Sequence, residues 1–167
     1  STPIAPTPTP EGAGSLVGHV AFQGRPPGPG WALPLEVTIN ATVYDVTTDQ
    51  AGVFTITAIP AGTYNVKVKH FHSLSAVYNN VVISGGEKHV NFFKTGEPAL
   101  REGDANNSDF VDIDDFTILV ADFFKVPGAP GWIPNPDFNE SGFVDIDDFT
   151  LMVANFFQGG PRDVTGG

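Results

Sequence analysis

Two twelve-residue segments near the end of the chain have side-chain oxygens at matching positions. Residues 104–115 read DANNSDFVDIDD and residues 137–148 read DFNESGFVDIDD. Positions 1, 3, 5, 9 and 12 of each carry a carboxylate, amide or hydroxyl, and position 7 can offer its backbone carbonyl. Ca²⁺ takes about six to eight oxygen ligands, and a loop with this spacing can present them. The segments predict two calcium sites, whose ligands would be Asp104, Asn106, Ser108, Phe110, Asp112 and Asp115 in the first and Asp137, Asn139, Ser141, Phe143, Asp145 and Asp148 in the second.

An internal duplication strengthens this prediction. The octamer FVDIDDFT occurs at residues 110–117 and again at 143–150, an offset of 33 residues. An acidic surface turn without metal is the simpler interpretation of one such loop, but two loops with matching ligands favour metal binding. The last carboxylate of each loop should lie in the first turn of a helix, where negative charge is favourable.

Three loop positions refine the calcium prediction. Position 5 is serine in both loops, and a neutral hydroxyl should bind calcium more weakly than the more common Asp. Position 6, where the chain turns sharply, is Gly142 in the second loop but Asp109 in the first, so we expect more backbone strain in the first loop. Position 8, an apolar β-branched residue expected to pair the loops in a short strand contact, is Val111 or Val144.

Each loop should be followed, but not preceded, by a helix. The residues before the second loop contain four prolines, which exclude a regular helix there. Helices are predicted at residues 113–124 and 146–157. Their core stripes at i, i+3, i+4 and i+7 would be Phe116, Leu119, Val120 and Phe123, repeated as Phe149, Met152, Val153 and Phe156.

More apolar residues remain on these helices than a unit of this size can easily bury, which indicates a partner surface. The alternative is that they pack against the rest of the protein. The residues proposed to contact a partner are Ile113, Asp114, Ile118, Ala121, Ile146, Asp147, Leu151 and Ala154. Because the two helices present nearly the same residues, a partner should be able to bind in two orientations related by 180°.

Residues 100–161 resemble a dockerin module. The resemblance rests on Gly103-Asp104-x-Asn106, on the pattern D-x-N-x-x-G-x-V-D at residues 137–145, and on the duplication itself. It implies two bound Ca²⁺ ions and a cohesin partner, through which secreted proteins are attached to cellulosomes or related surface assemblies. Typical dockerins carry Ser/Thr at loop positions 10 and 11 and Lys/Arg in mid-helix. Here those positions are Ile and Asp, then Val and Ala, so an apolar interface or a cohesin of another type is expected.

The first part of the chain predicts an antiparallel β-sandwich of about seven strands. Short alternating segments separated by turn signals occupy residues 16–22, 35–40, 42–46, 52–57, 63–70, 77–83 and 88–93. The stretch TTDQAGVFTITAIPAGTYNVKVKH, residues 47–70, resembles carboxypeptidase-regulatory-like and Cna-B-like sandwich domains. That resemblance implies a spacer, stalk or adhesive module.

Composition supports two domains in an exported protein. Residues 1–99 carry six acidic and five basic residues, and residues 100–167 carry thirteen and three. We predict a Pro/Thr-rich linker at 1–14, the sandwich at 15–95, a small α domain of two calcium loop–helix repeats at 100–161 and a tail at 162–167. The net charge of −11 argues against nucleic acid, and no apolar run is long enough for membrane insertion. We expect a secreted or cell-surface prokaryotic protein, and this chain to be part of a larger one.

Other chemistry is less well supported. His70 and His72 form an H-x-H pair that can bind zinc, but no third ligand is apparent in the sequence. Trp31 and Trp132 lie in Pro/Gly-rich loops, where exposed rings could stack on sugars. We therefore expect a non-catalytic calcium-dependent docking module. The alternatives are a calcium-stiffened stalk without a cohesin partner, and a sandwich that binds carbohydrate.

Overall fold

The structure is a computed structural model that describes residues 12–97 and 100–167. Most of the predicted linker at 1–14 therefore lies outside the described residues. Seven strands form a sandwich of two sheets, and an eighth strand follows the helices. The strands are β1 Gly14–His19, β2 Pro34–Ile39, β3 Thr42–Thr47, β4 Val53–Ile59, β5 Gly62–Lys69, β6 Ala76–Ile83, β7 Gly86–Asn91 and β8 Arg162–Asp163.

The two sheets have the strand orders β4-β1-β7 and β3-β2-β5-β6-β8. All seven predicted strands are present, so the β-sandwich prediction is confirmed. The predicted antiparallel pairing holds for four of the strand pairs and is wrong for two. β1 pairs with β7 in parallel, from Gly14 opposite Gly86 to His19 opposite Asn91, and β8 runs parallel to β6. The first and last strands of the sandwich can meet in parallel because the intervening strands return the chain to the same end.

Alternation along the strands places one face of each sheet in the core. In β5, Val66 and Val68 are buried while Lys67 and Lys69 point outward, as the sequence pattern predicts. A short 3-10 helix, Pro29–Trp31, carries Trp31 into the same core. This packing fixes the end of β5, where the chain turns toward the two candidate metal loops.

The two helices are α1 Ile113–Asp122 and α2 Ile146–Ala154. Each begins with a capping box made by the loop aspartates at positions 9 and 12. Both end two or three residues earlier than predicted. Phe124 and Phe157 adopt positive φ angles of 66° and 64°, and their backbone N–H groups bond to the opposite repeat instead of continuing the helix.

A second, smaller hydrophobic cluster surrounds the helices. It contains Leu119 and Met152, both fully buried, and also Leu74, which follows β5. Val120 and Val153 were predicted to belong to this core, but they are 53% and 54% exposed. Val120 lines an open groove between the two helices instead of being covered by them.

The final residues do not form a separate tail as predicted. Arg162 and Asp163 pair with β6, and Val164 is fully buried in the sandwich core. The chain therefore leaves the sandwich, forms the two loop–helix repeats and returns to it. The division into two domains stays a prediction. Leu74, which follows β5, packs in the small cluster around the helices, and β8, which follows α2, pairs with β6 of the sandwich. Among the described residues, no helix has the length and apolar character needed to cross a membrane.

Candidate metal centre

The first loop is organised around the carboxylate of Asp104. Its Oδ1 accepts a hydrogen bond from the Ser108 backbone N–H at 2.9 Å, and its Oδ2 accepts one from Asp109 N–H at 2.8 Å. The Ser108 hydroxyl donates to the Phe110 carbonyl oxygen at 3.0 Å. These bonds bring the candidate ligands at positions 1, 5 and 7 to one side of the loop.

Asp115 closes the same loop from the start of α1. Its Oδ1 accepts from the Asn106 N–H at 3.1 Å and its Oδ2 from the Asp112 N–H at 2.8 Å. The Asp115 carboxylate at position 12 is thereby hydrogen-bonded to the backbone of positions 3 and 9. All six candidate ligands of the first loop therefore lie within one compact turn.

The second loop repeats this arrangement almost atom for atom. Asp137 accepts from the backbone N–H groups of Ser141 at 3.0 Å and Gly142 at 2.8 Å. Asp148 accepts from Asn139 N–H at 3.2 Å, and its other oxygen accepts from the position-9 N–H at 2.9 Å. The structure thus places the six candidate ligands of the second loop as it places those of the first.

The electrostatics of both loops fit a bound cation. Asp104, Asp115 and Asp148 are fully buried, and Asp137 is 4% exposed. Burial raises the pKa of Asp115 and Asp137, and it raises the pKa of Asp148 to about 6. Buried carboxylates at such density need a neutralising partner. The donors are all oxygens, the set that Ca²⁺ prefers.

Position 6 has a left-handed backbone in both loops. Asp109 has φ 66° and Gly142 has φ 79°, in agreement with the sharp turn expected at position 6. A non-glycine residue costs roughly 1 kcal/mol in this region. In the first loop, the Asp109 carboxylate also accepts bonds from the backbone N–H and hydroxyl of Ser75, at 2.7 and 2.5 Å. The strained residue is held in place by the sandwich.

The expected strand contact between Val111 and Val144 is wrong. Val111 bonds instead to Phe157 and Gln158, at 2.8 and 2.9 Å, and Val144 bonds to the matching residues after α1. Each loop therefore pairs with the segment that leaves the other repeat's helix. The residues after each helix therefore hydrogen-bond to the loop of the other repeat, and for this reason both helices end earlier than predicted.

Each loop also contacts a polar side chain from the end of β5. The Lys69 ammonium lies 2.8 Å from Asp104 Oδ2, in an ion pair that is largely buried. His72 Nε2 lies 2.6 Å from Oε1 of Glu140, which occupies position 4 of the second loop. His72 Nδ1 lies 2.5 Å from Glu102 Oε2, and Arg25 completes this network at 3.1 Å from Glu102 Oε1.

The two histidines of the H-x-H pair differ in charge. Burial lowers the pKa of His70 to about 2. Burial acts in the same direction on His72, but the Glu102 and Glu140 carboxylates outweigh it and raise its pKa to about 9. Sequence reasoning found no third ligand beside this pair, yet the structure brings Glu140 there. A contact between residues 68 positions apart leaves no local signal.

The indole rings offer little support for sugar binding. Trp31 is 7% exposed, and its Nε1 donates to the Arg25 carbonyl at 3.0 Å. It is part of the sandwich core. Trp132 is half-buried near the segment that follows α1.

The fold and site together define a β-sandwich followed by two loop–helix repeats that pack against it. Two solved structures share this fold. One is a C-terminal interface mutant and the other an N-terminal interface mutant of a type II cohesin–X-dockerin complex from Acetivibrio cellulolyticus. The matched chains have TM-scores of 0.69 and 0.68, and both are 19% identical to this one. Each match covers 87% of this chain and 96% of the other.

At this identity the likeness shows the fold alone. No protein-family model matches the chain, and no curated protein matches it either.

Proposed function

We propose that this chain is a calcium-dependent docking module of the dockerin type, which binds a cohesin-like partner through its paired helices. The sandwich is the adjoining support that holds the repeats. The observation that carries the proposal is a large apolar surface, present twice and equally exposed in both repeats.

The match between the helix surfaces extends to each position. Ile113 and Ile146 are 61% and 60% exposed, and Phe124 and Phe157 are 69% and 72% exposed. Exposed apolar surface of this extent mostly marks a binding site in soluble proteins. Aromatic side chains of this kind often dominate the binding energy of an interface. A partner would therefore find the same contacts in either repeat.

The groove between the helices adds a place for a partner side chain. It has a volume of about 310 Å³ and entirely apolar walls, formed by Phe116, Leu119, Val120, Phe123, Ile146 and Phe149. The rings of Phe116 and Phe149 lie 6.0 Å apart across the contact between the helices. An aliphatic or aromatic anchor from a partner would fit this groove.

The eight residues proposed from the sequence occupy different environments. Six are exposed, namely Ile113, Asp114, Ala121, Ile146, Asp147 and Ala154. Ile118 and Leu151 are half-buried and pack on the small core. Leu151 also contacts Gly24, where an added Cβ would lie 2.6 Å from its Cδ1. We therefore extend the docking surface to Val120 and Val153 and leave Leu151 at its edge.

Two calcium ions would fix this surface in place. Each loop supplies the capping box of its helix, and the buried carboxylates of each loop repel one another without a counter-ion. Metal binding to such loops contributes directly to folding. Docking should therefore require calcium, which is abundant outside cells, in keeping with the proposed location at a prokaryotic cell surface or in a secreted assembly.

The proposed partner is a cohesin of the type II class. The fold likeness to chains of type II cohesin–X-dockerin complexes supports this choice, as do the apolar residues at the usual dockerin recognition positions. Isothermal titration against a panel of type II cohesins should show 1:1 binding in calcium and none in excess chelator. The double variant Val120→Glu/Val153→Glu should lose binding while it keeps its calcium.

Val43→Glu is the matched control for this experiment. Val43 lies on β3 and is 54% exposed, the same as Val153, but it is far from the helices in sequence and belongs to the sandwich. Binding that survives the double variant, or is lost equally in the control, would contradict the proposed surface.

One observation favours a second candidate function, the calcium-stiffened stalk. Buried ion pairs tie the repeats to the sandwich, since both side chains of the Arg25–Glu102 pair are at most 6% exposed. A stalk would be stabilised by calcium yet bind none of the cohesins. The carbohydrate alternative has lost its main support, because Trp31 is buried.

A further inference from the structure

Three side chains from distant parts of the chain converge where the second calcium loop meets the sandwich. His70 and His72 follow β5, and Glu140 comes from the second loop. His70 Nε2, His72 Nε2 and Glu140 Oε1 all lie within 4.8 Å of one another. Both imidazoles are fully buried, and the Glu140 side chain is 24% exposed.

One ring nitrogen of His70 makes a hydrogen bond, and the other has no hydrogen-bond partner among the described residues. Its Nδ1 lies 2.6 Å from the Pro34 carbonyl oxygen, which can only accept, so Nδ1 carries the proton. Its Nε2 is then a bare lone pair. That atom is buried, has no hydrogen-bond partner and lies 3.9 Å from Glu140 Oε1. An unpartnered buried nitrogen is costly unless a ligand occupies it.

His72 is oriented in the same way by a carboxylate. Its Nδ1 lies 2.5 Å from Glu102 Oε2, so Nδ1–H donates to Glu102 and Nε2 faces Glu140 at 2.6 Å. Arg25 lies 3.1 Å from the other Glu102 oxygen and fixes that carboxylate. Metal-binding histidines usually donate the second ring nitrogen to a carbonyl or carboxylate in this manner, which sets the tautomer.

We propose that His70, His72 and Glu140 form a third metal site, which binds a zinc-class divalent ion and joins the second calcium loop to the sandwich. Two imidazole nitrogens and one carboxylate are a ligand set that zinc accepts, with a fourth position for water. Calcium would not choose it, since calcium prefers oxygen ligands only. The Glu140 side chain is 24% exposed, so water can reach the ion from its side.

Only a small adjustment is needed to admit the ion. Ligand atoms in tetrahedral zinc sites lie roughly 3.3 Å apart, given bonds of about 2.0–2.1 Å. His72 and Glu140 must separate slightly, and His70 must approach. The ion takes the place of the proton between His72 Nε2 and Glu140 Oε1, and that proton passes to solvent. The His72 Nδ1–H bond to Glu102 is retained.

Zinc titration of the whole chain in saturating calcium tests this site. Calcium keeps the two loops filled, and the chain has no cysteine to compete for zinc. We expect one zinc per chain and a rise in thermal stability. Glu140→Gln should weaken zinc binding on the order of 100-fold or more, by comparison with the losses seen when supporting groups of metal sites are removed.

Glu140→Gln is the informative variant because the Glu140 side chain is partly exposed, at 24%, and is not among the proposed calcium ligands. The amide can still accept from His72, so the fold and both calcium sites should persist, as circular dichroism and a calcium titration would show. His70→Asn should have the same effect on zinc. His89→Asn is the control, since the His89 side chain is 69% exposed and lies on β7.

The proposal is overturned if no stoichiometric zinc binds, or if Glu140→Gln and His70→Asn bind zinc as tightly as the unaltered chain. In either case the cluster is an ion-pair contact without metal. The outcome does not depend on whether the helices dock to a cohesin.

Discussion

The two proposed calcium loops have the same internal geometry but differ in their surroundings. Their corresponding backbone hydrogen bonds agree to within 0.1 Å. The first loop, however, has the Lys69 ammonium on its first ligand, Asp104, while the second has an imidazole on Glu140, a residue outside the ligand set. Local sequence determines the loop geometry, and the sandwich determines the charge around it.

This difference predicts unequal calcium affinities. A cation 2.8 Å from Asp104 Oδ2 reduces the negative charge that draws Ca²⁺ to the first loop. The first loop also carries the left-handed Asp109, where the second has Gly142. We therefore expect the second loop to bind calcium more tightly than the first.

Removal of the position-12 carboxylate should give the largest effect. Asp115→Ala and Asp148→Ala each delete a buried candidate ligand that also caps a helix. Each should weaken its own site on the order of 100-fold or more and leave the other site occupied. Competition with a fluorescent calcium chelator measures both sites. Asp114→Ala is the control, since Asp114 is exposed and adjacent, and a similar loss there would contradict the ligand assignment.

Charges placed on the helix surface test whether the two repeats are equivalent for docking. Val120→Glu and Val153→Glu alter residues of equal exposure at the same position of the two helices. If the partner binds in two orientations, each single change should reduce affinity by less than about tenfold. The double change should cost about 2 kcal/mol or more. Complete loss of cohesin binding in either single variant would contradict the hypothesis that the partner binds in two orientations.

An exchange at position 6 separates backbone strain from contact with the sandwich. Asp109→Gly relieves about 1 kcal/mol of strain. It also removes two bonds to a charged acceptor, each worth about 1.5–3 kcal/mol, from Ser75. The calcium-loaded chain should therefore lose roughly 2–5 kcal/mol of unfolding free energy, as a denaturant titration would show.

Gly142→Asp is the reverse change and should cost only about 1 kcal/mol, since it adds strain without any steric clash. An added Cβ at Gly142 meets nothing within 4 Å. A gain of stability in Asp109→Gly would mean that the hydrogen bonds to Ser75 contribute less free energy than the backbone strain at Asp109 costs.

Lys69→Met should give the smallest effect and an increase rather than a loss. Without the ammonium, calcium affinity at the first loop should rise by about 1 kcal/mol, or roughly fivefold. A chelator competition assay on the Asp148→Ala background isolates that loop. Lys67→Met is the control, because Lys67 lies on the same strand and makes no ion pair among the described residues. Equal affinities in the two variants would remove Lys69 as the cause of the difference.

Features encoded within a short stretch could be predicted from the sequence. The twelve-residue spacing predicts the loops, and the period of two in β5 predicts that Val66 and Val68 are buried. The left-handed backbone at Asp109 follows from its place in the loop. In each case the determining residues are neighbours in sequence.

Features that depend on distant contacts could not be predicted. Helical period alone places Val120 in the core, but in the structure it lines the open groove between α1 and α2 and is 53% exposed. Nothing near Val164 indicates that it enters the sandwich core, because β6 lies about eighty residues earlier. The pairing of Val111 with the end of α2 depends on the arrangement of both repeats.

Isothermal titration of the calcium-free chain with Ca²⁺ tests the central claim most directly. The account predicts two ions per chain with unequal affinities, and the tighter site should be absent in Asp148→Ala. Fewer than two ions bound, or loss of the tighter site in Asp115→Ala instead, would contradict it.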